Sequence, residues 1–242
     1  MLKAKTYFVT GTDTEVGKTR VACGLARGFL ELGYKTIGLK PVETGCAVRP
    51  GLDEDGVLLA QATGQPRPRC AISRFRAPVA PPAAAELEDA ELNFDTLVAE
   101  TKAHLPPGVI GVVEGAGGLL SPVTWERTNL DLIQALGADV IVVAADKLGT
   151  LNHTLMTVRI LQNAGITARC IVMSDVCGDG SMINTAGMRP TASPVDQSHG
   201  TNYDSLGRIP NIPSVARLPF VKSLEEAADA LRPLAKTLLE TS

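Results

Sequence analysis

GTDTEVGKT, residues Gly11 to Thr19, lies between an apolar run of strand length (Thr6 to Val9) and a helical stretch that reads from Val21. The common phosphate-loop pattern is Gly-x-x-x-x-Gly-Lys-[Ser/Thr]. Thr12 stands where the first glycine of that pattern belongs, and Gly11 comes one residue early. The strict match therefore fails by one position. The rest is in place: a strand before, Gly17-Lys18-Thr19, and a helix after. In such a turn the loop N–H groups and the helix N-terminus converge on phosphate oxygens. Gly17 lets the backbone approach closely, Lys18 reaches the β- and γ-phosphates, and the Thr19 hydroxyl ligates Mg²⁺. The flanking strand and helix favour a nucleoside triphosphate site over a chance Gly-Lys-Thr.

Outward from the loop, apolar runs alternate with helical patterns. Further strands are expected at Thr36–Leu39, Val109–Val113, Asp139–Ala145, Ile166–Met173 and Leu206–Ile209. Helices are expected at Val21–Leu32, Val57–Thr63, Leu97–Leu105, Leu151–Ala164 and Leu224–Leu238. The strands are apolar throughout rather than alternating, as parallel strands covered on both faces are. The fold class is thus α/β: a three-layer α/β/α arrangement on a mostly parallel sheet, with right-handed crossovers. Residues 76–85 (RAPVAPPAAA) hold too much proline for a central strand or for a regular helix throughout. Residues 178–204 are rich in Gly, Ser, Thr, Asn and Pro and predict a long surface excursion. Neither reads as a boundary, so residues 1–242 are expected to form a single domain.

Composition bounds the partners. The chain has 242 residues, 45% of them hydrophobic, enough for a full core. A net charge of -3 without Lys/Arg runs argues against nucleic acid or a membrane surface as the main partner. No apolar stretch is long enough to span a bilayer. The basic start is followed only by the short segment Tyr7–Thr10, too short for a signal-peptide core, so a cytoplasmic location is expected. The five cysteines form no Cys-x-x-Cys pair, and their odd number suits free thiols. His104, His153 and His199 lie too far apart in sequence to suggest zinc.

A triphosphate site of this kind needs an acidic residue at a neighbouring strand end to help hold Mg²⁺. Glu114 follows the Val109–Val113 run and precedes Gly115-Ala116-Gly117-Gly118, which puts it at the carboxyl edge where open α/β sheets bind ligands. Asp53, Glu54 and Asp55 precede a helix and read equally well as ordinary helix-start charge. Lys40 closes the second strand in Gly38-Leu39-Lys40-Pro41-Val42 and points to the same edge; Lys147 holds a comparable place after Ala145. Either could instead be a solvated surface lysine.

Taken in order, GTDTEVGKT, GLKPVETG, Asp55 in DGVLL, EGAGGLLSP, KLGTLNH from Lys147 to His153, and Gly207-Arg208-Ile209-Pro210 resemble the dethiobiotin synthetase family. The resemblance runs from about residue 5 to about 175 and resumes near 205. It implies a P-loop NTPase fold and a ligase that joins 7,8-diaminopelargonic acid (7,8-diaminononanoate) and CO₂ at the expense of ATP. A carbamate of one amine attacks the γ-phosphorus, and the second amine closes the ureido ring and expels phosphate. The products are dethiobiotin, ADP and phosphate, a step of biotin synthesis. It implies Mg²⁺ held by Thr19, Asp55 and Glu114, and Lys18 and Lys40 as positive charge at the γ-phosphate and carbamate. Thr14 and Glu15 would act at the phosphate and the substrate's amines, and Thr44 and Lys40 would contact the substrate. The nucleotide would meet Glu15, Val16, Gly17, Lys18, Thr19, Arg20, Asp55, Glu114, Gly115, Ala116, Gly117, Ser174, Asp175, Arg208, Ile209 and Pro210. A homodimer is also implied, with Leu151 and Asn152 at a helix N-terminus receiving the substrate's tail carboxylate across the interface.

The chain departs from that pattern in two places. Ser174-Asp175 stands where the family often has Asn-Asp, and Ser offers fewer and shorter-reaching hydrogen-bonding groups than the Asn that reads adenine. Other triphosphates therefore enter as candidates. Ala77-Pro78-Val79-Ala80-Pro81-Pro82 replaces a Ser-Pro-His-type segment, so substrate contacts there do not carry over. Two other readings compete. An amidoligase of the cobyrinate type needs a glutaminase domain for which 242 residues leave no room. A partitioning ATPase would carry an extra lysine early in the loop, where this chain has Thr12-Asp13, and a basic patch or amphipathic tail that this sequence does not show.

Overall fold

The computed structural model describes residues 5–177 and 196–240. In chain order the elements begin β1 (Lys5–Gly11), α1 (Lys18–Glu31), β2 (Thr36–Leu39), β3 (Val42–Glu43), α2 (Asp55–Thr63) and β4 (Ser73–Arg74). They continue α3 (Pro81–Leu87), α4 (Phe94–Ala103), β5 (Ile110–Gly118), α5 (Asn129–Leu136), β6 (Asp139–Ala145) and α6 (Thr150–Asn163). The last are β7 (Cys170–Ser174), α7 (Asn202–Gly207), β8 (Val215–Leu218) and α8 (Leu224–Glu240). Six strands form one sheet in the order β2-β5-β1-β6-β7-β8, and β3 pairs with β4 beside it. Every pairing between these strands is parallel.

Strand β6 shows why the runs are apolar on both faces. Val140, Val142 and Ala144 join a cluster with Leu132 of α5 and Leu161 of α6. Ile141, Val143 and Ala145 point the other way, into a cluster with Leu25 of α1 and Leu231 of α8. The sheet is the middle of three layers, as the unbroken hydrophobicity predicts. The strand order reverses around β1, so the loop after β1 opens at the centre of the carboxyl edge, where such sheets bind ligands.

Several expectations are corrected. Leu206–Ile209 is not a strand. Residues 202–207 are helical, with Leu206 buried against the sheet, and the last strand is Val215–Leu218. That strand lies at the sheet edge and is half-exposed, so Arg217 breaks the continuous run that marks a central strand. The expected strand from Ile166 begins only at Cys170, because the Ile166 N–H turns back to the Leu161 carbonyl and ends α6. The strand opening near Val109 runs on to Gly118, with a shift of register against β1 between Val9 and Gly11. Part of the proline-rich stretch is helical from Pro81, which sits at N1, where the absent N–H and fixed φ are tolerated. Helix α5 opens with a capping box, Thr128 with Asp131, that the reading of apolar runs passed over.

Of the expected excursion, residues 178–195 fall outside the described residues. Residues 196–204 are fastened to the sheet edge. The buried Asp146 carboxylate accepts from Gly200 N at 2.9 Å and Asn202 Nδ2 at 2.8 Å, and Asp196 accepts from Leu148 N at 2.6 Å. A buried carboxylate needs such donors, and here they come from that segment. Among the described residues, no helix is long and apolar enough to cross a membrane.

Candidate active site

The loop after β1 folds directly over the strand end. A Cβ on Gly11 would stand 2.6 Å from the Asp13 carbonyl oxygen and 2.9 Å from Val16 Cγ2, so this place requires glycine. That explains the early glycine: it serves the close packing of the loop on its strand. Gly17, at φ 92° and ψ 19°, occupies the left-handed region at the N-cap of α1. Lys18 and Thr19 are the first helical residues. Lys18 Nζ donates to the Asp13 carbonyl at 2.9 Å, so the lysine spans the loop it belongs to. Burial holds this ammonium below the ordinary lysine range, against the pull of Glu114.

Four side chains from four places in the chain meet beside it. Lys40, just past β2, puts Nζ 2.6 Å from Asp55 Oδ2, 2.8 Å from Glu114 Oε1 and 3.3 Å from the Gly115 carbonyl. Its three protons are thereby matched. The Thr19 hydroxyl lies 2.7 Å from Asp55 Oδ1 and 3.0 Å from Glu114 Oε1. Glu114 is wholly buried within β5, whereas the Asp55 side chain, at N1 of α2, is 32% exposed. Burial pushes the Glu114 carboxyl up to about 7, with Lys40 drawing it the other way. Burial alone would lower Lys40, but the two carboxylates outweigh it and hold the ammonium above its ordinary value. Asp55, despite its own burial, is held low by Lys40.

Glu114 Oε2 is buried and has no hydrogen-bond partner among the described residues. A buried carboxylate oxygen calls for a donor or a cation. With Asp55 and the Thr19 hydroxyl it makes a set of hard oxygen ligands, the kind that suits Mg²⁺. Glu43, Cys46 and Glu54 also gather closely enough to hold an ion. Their carboxylates already serve the chain: Glu43 accepts from the Asp55 and Gly56 N–H groups, and Glu54 from Ala47 N, Gly51 N and Arg74.

A cavity of about 730 Å³ opens over this cluster. Of the residues expected at the site, Thr14, Glu15, Gly17, Lys18, Thr19, Arg20, Lys40, Thr44, Asp55, Glu114, Ala116 and Gly117 line it. Gly115 gives its carbonyl to Lys40, and Val16 packs into the core beneath the loop. Asp53 and Glu54, whose charge reads equally well as helix-start charge, line it too, as do Glu43, Gly45, Ala47 and Val176, to which the sequence assigned no role. The sequence reading missed buried Asn129, whose Nδ2 ties the Ala116 and Gly118 carbonyls at 2.7 and 2.8 Å. Thr128 and Asp131, flanking Asn129 in a capping-box spacing, were the available signal.

Other expected residues lie elsewhere. Ser174 is fully buried beneath the loop, where a Cβ on Gly17 would come 2.5 Å from its Oγ. It does not line the cavity over the Lys40 cluster. The Asp175 carboxylate takes the Cys177 N–H at 3.0 Å and stands 3.2 Å from His199 Nε2. Arg208 and Ile209 line a separate cavity of about 530 Å³, and Pro210 follows at the end of α7. The strand end beside β7 belongs instead to Leu218, followed by Pro219 and Phe220, and the Arg20 guanidinium lies 5.6 Å from the Phe220 ring. Leu151 and Asn152 lie in the first turn of α6, outside the cavity, and Lys147 is exposed.

A sequence model of a family described as an AAA domain matches residues 5–228. The protein called ATP-dependent dethiobiotin synthetase BioD in Anaeromyxobacter dehalogenans strain 2CP-1 is 44% identical over 169 residues, 69% of this chain and 75% of that one. A protein of the same name from a second strain of that species is 38% identical over 226 residues, 93% and 94% of the two chains. Among solved structures, the septum site-determining protein MinD of Pyrococcus horikoshii, complexed with Mg-ADP, superposes with a TM-score of 0.54. That match covers 97% of this chain and 95% of the other at 12% identity, a likeness of fold alone.

Proposed function

The chain belongs to the family of ATP-dependent dethiobiotin synthetases, and on that premise we propose how the cavity beside its phosphate loop makes dethiobiotin. The enzyme is an ATP-dependent ligase of biotin biosynthesis acting on small molecules: 7,8-diaminononanoate, CO₂ and ATP. The observation that carries the site assignment is the convergence of Lys40, Asp55, Glu114 and Thr19 at the loop.

The chemistry brings an anionic carbamate against an anionic phosphate, so the site has mainly to place and neutralise them. The loop N–H groups and Lys18 hold the β- and γ-phosphates. Thr19, Asp55 and Glu114 are the residues that would hold Mg²⁺; the unpartnered Glu114 Oε2 supports this. When bound, Mg²⁺ neutralises charge on the β- and γ-phosphates. Lys40, buried and held protonated between Asp55 and Glu114, supplies positive charge to the γ-phosphate and carbamate. Glu15 and Thr14, exposed at the loop mouth, receive the substrate's amines, and the Thr44 hydroxyl contacts the substrate from the cavity wall. The carbamate oxygen attacks the γ-phosphorus and ADP leaves; the second amine then attacks the carbonyl carbon and phosphate leaves.

The whole chain works as one catalytic unit, in the cytoplasm, as a homodimer. The α6 N-terminus, where Gly149 offers no side-chain cap, presents Leu151 and Asn152 to the substrate's tail carboxylate from the second subunit.

Purified protein incubated with 7,8-diaminononanoate, bicarbonate, Mg²⁺ and ATP should form dethiobiotin, seen by mass. Nucleotide hydrolysis independent of the diamine, with no dethiobiotin, would sink the proposal.

A further inference from the structure

The first turn of α2 is held in an unusual way. Its N-cap residue, Glu54, makes no capping bond with its side chain, which is turned instead to Ala47, Gly51 and Arg74. The helix N–H groups are met from twelve residues upstream. Glu43 Oε1 accepts from Asp55 N at 2.6 Å, and Glu43 Oε2 accepts from Gly56 N at 3.0 Å. Each carboxylate oxygen thus takes one of the first two helical N–H groups. Bonds of this kind to an ionised acceptor are short and strong, and negative charge at a helix N-terminus is favoured by the macrodipole.

The position of Glu43 is itself fixed. It lies in β3, three residues after Lys40, and β3 pairs with β4 as Val42 with Ser73 and Glu43 with Arg74. Arg74 reaches across to grip both oxygens of Glu54, at 2.9 and 2.6 Å. The two-stranded ribbon therefore holds the N-terminus of α2 from both sides, Glu43 on the backbone and Arg74 on the cap residue. Asp55 is the first residue of that helix, so its carboxylate moves with the first turn. Both its oxygens are already committed to close contacts, 2.7 Å to Thr19 and 2.6 Å to Lys40.

We propose that Glu43 is a positioning residue: by clamping the Asp55 and Gly56 amides it sets where the Asp55 carboxylate stands beside Thr19, Glu114 and Lys40. This rests on the reading of Asp55 as a Mg²⁺ ligand. Both Glu43 carboxylate oxygens are taken up by those amides. Glu43 acts as outer partners of metal ligands do, whose loss costs about 10–100-fold in metal affinity or activity. A displacement of about 1 Å at such a site costs about 10²-fold in rate. A plain helix cap would change stability and leave the metal dependence alone.

The test compares Glu43→Ala, Glu43→Gln and Asp55→Ala in the full-length protein. Three quantities are read: Mg²⁺ affinity in the presence of ADP by calorimetry, the Mg²⁺ concentration giving half-maximal turnover, and hydrogen exchange of the Asp55 and Gly56 amides. Glu43→Ala should weaken Mg²⁺ binding at least about tenfold, by analogy with other outer-partner losses, and speed exchange at both amides. KM for ATP at saturating Mg²⁺ should stay within about twofold, as expected for a residue that sets only the metal ligand. Glu43→Gln keeps one acceptor oxygen and should recover part of the Mg²⁺ affinity. If Asp55→Ala weakens Mg²⁺ binding and Glu43→Ala, with its amides exchanging faster, does not, the positioning role is overturned. If Asp55→Ala itself leaves Mg²⁺ binding unchanged, the metal assignment falls and takes this role with it.

Discussion

Lys40→Ala removes the ammonium that is hydrogen-bonded to both site carboxylates. In the native protein that group meets Asp55 at 2.6 Å and Glu114 at 2.8 Å, with Glu114 wholly buried and its other oxygen without a partner among the described residues. Taking one member from a buried pair leaves the other charge uncompensated, at a cost of about 3–5 kcal/mol. In a chain of this size each kcal/mol lowers Tm by about 2–4 °C, so the deficit should be about 6–20 °C. Folded-state stability of about 5–15 kcal/mol absorbs that loss, and the variant should still fold. The deficit should also depend on pH. Glu114 titrates at about 7 in the folded protein against an ordinary 4.5, so folding takes up a proton between those values. Stability therefore falls as pH rises through that window and stays lower above it. Without Lys40 both carboxyls titrate higher and the window extends upward. At pH 6 protonated Glu114 softens the loss; at pH 8.5 the full cost is felt. Turnover should fall by at least about 10³-fold, the scale of removing a charge that stabilises a transferring phosphoryl group. The assays are thermal denaturation at the two pH values and dethiobiotin formation. Near-normal turnover, or a Tm deficit no larger at pH 8.5 than at pH 6, would contradict the role given to Lys40.

Lys18→Ala should abolish turnover yet leave the far-ultraviolet circular dichroism unchanged, because the side chain makes a single hydrogen bond to its own loop; measurable turnover at wild-type rate would remove it from phosphate binding. Ser174 is buried beneath Gly17 and stands where the family often has the Asn that reads adenine, so a panel of triphosphates should show GTP or CTP supporting dethiobiotin formation within about tenfold of ATP, a discrimination of about 1.4 kcal/mol. A strict ATP requirement would show that another group reads adenine. Sedimentation should give twice the chain mass; a fully active monomer would contradict the shared substrate site.

What the sequence revealed and what it hid divide along physical lines. Gly17-Lys18-Thr19 is local chemistry at a fixed spacing, and Glu114 follows an apolar run long enough to mark a buried strand. Both were legible because their roles depend on near neighbours in the chain. The two-faced burial of β6 was legible too, since only a covered strand is apolar at every position. Strand β8 was not, because an edge strand needs just one covered side and tolerates Arg217. The resemblance pointed to Gly207-Arg208-Ile209-Pro210, whereas the strand that pairs with β7 ends at Leu218, which only the sheet register shows. Glu43 was hidden for the same reason. Its partners lie twelve and thirteen residues away in sequence, and only the β3–β4 pairing aims it at them.

The central claim is that this site phosphorylates a carbamate. Freshly prepared ¹⁸O-labelled bicarbonate, supplied with 7,8-diaminononanoate, Mg²⁺ and unlabelled ATP, follows the oxygen directly. If the carbamate attacks the γ-phosphorus, each phosphate released carries one ¹⁸O from bicarbonate and each dethiobiotin keeps one in its ureido carbonyl. Labelled dethiobiotin accompanied by wholly unlabelled phosphate would contradict it.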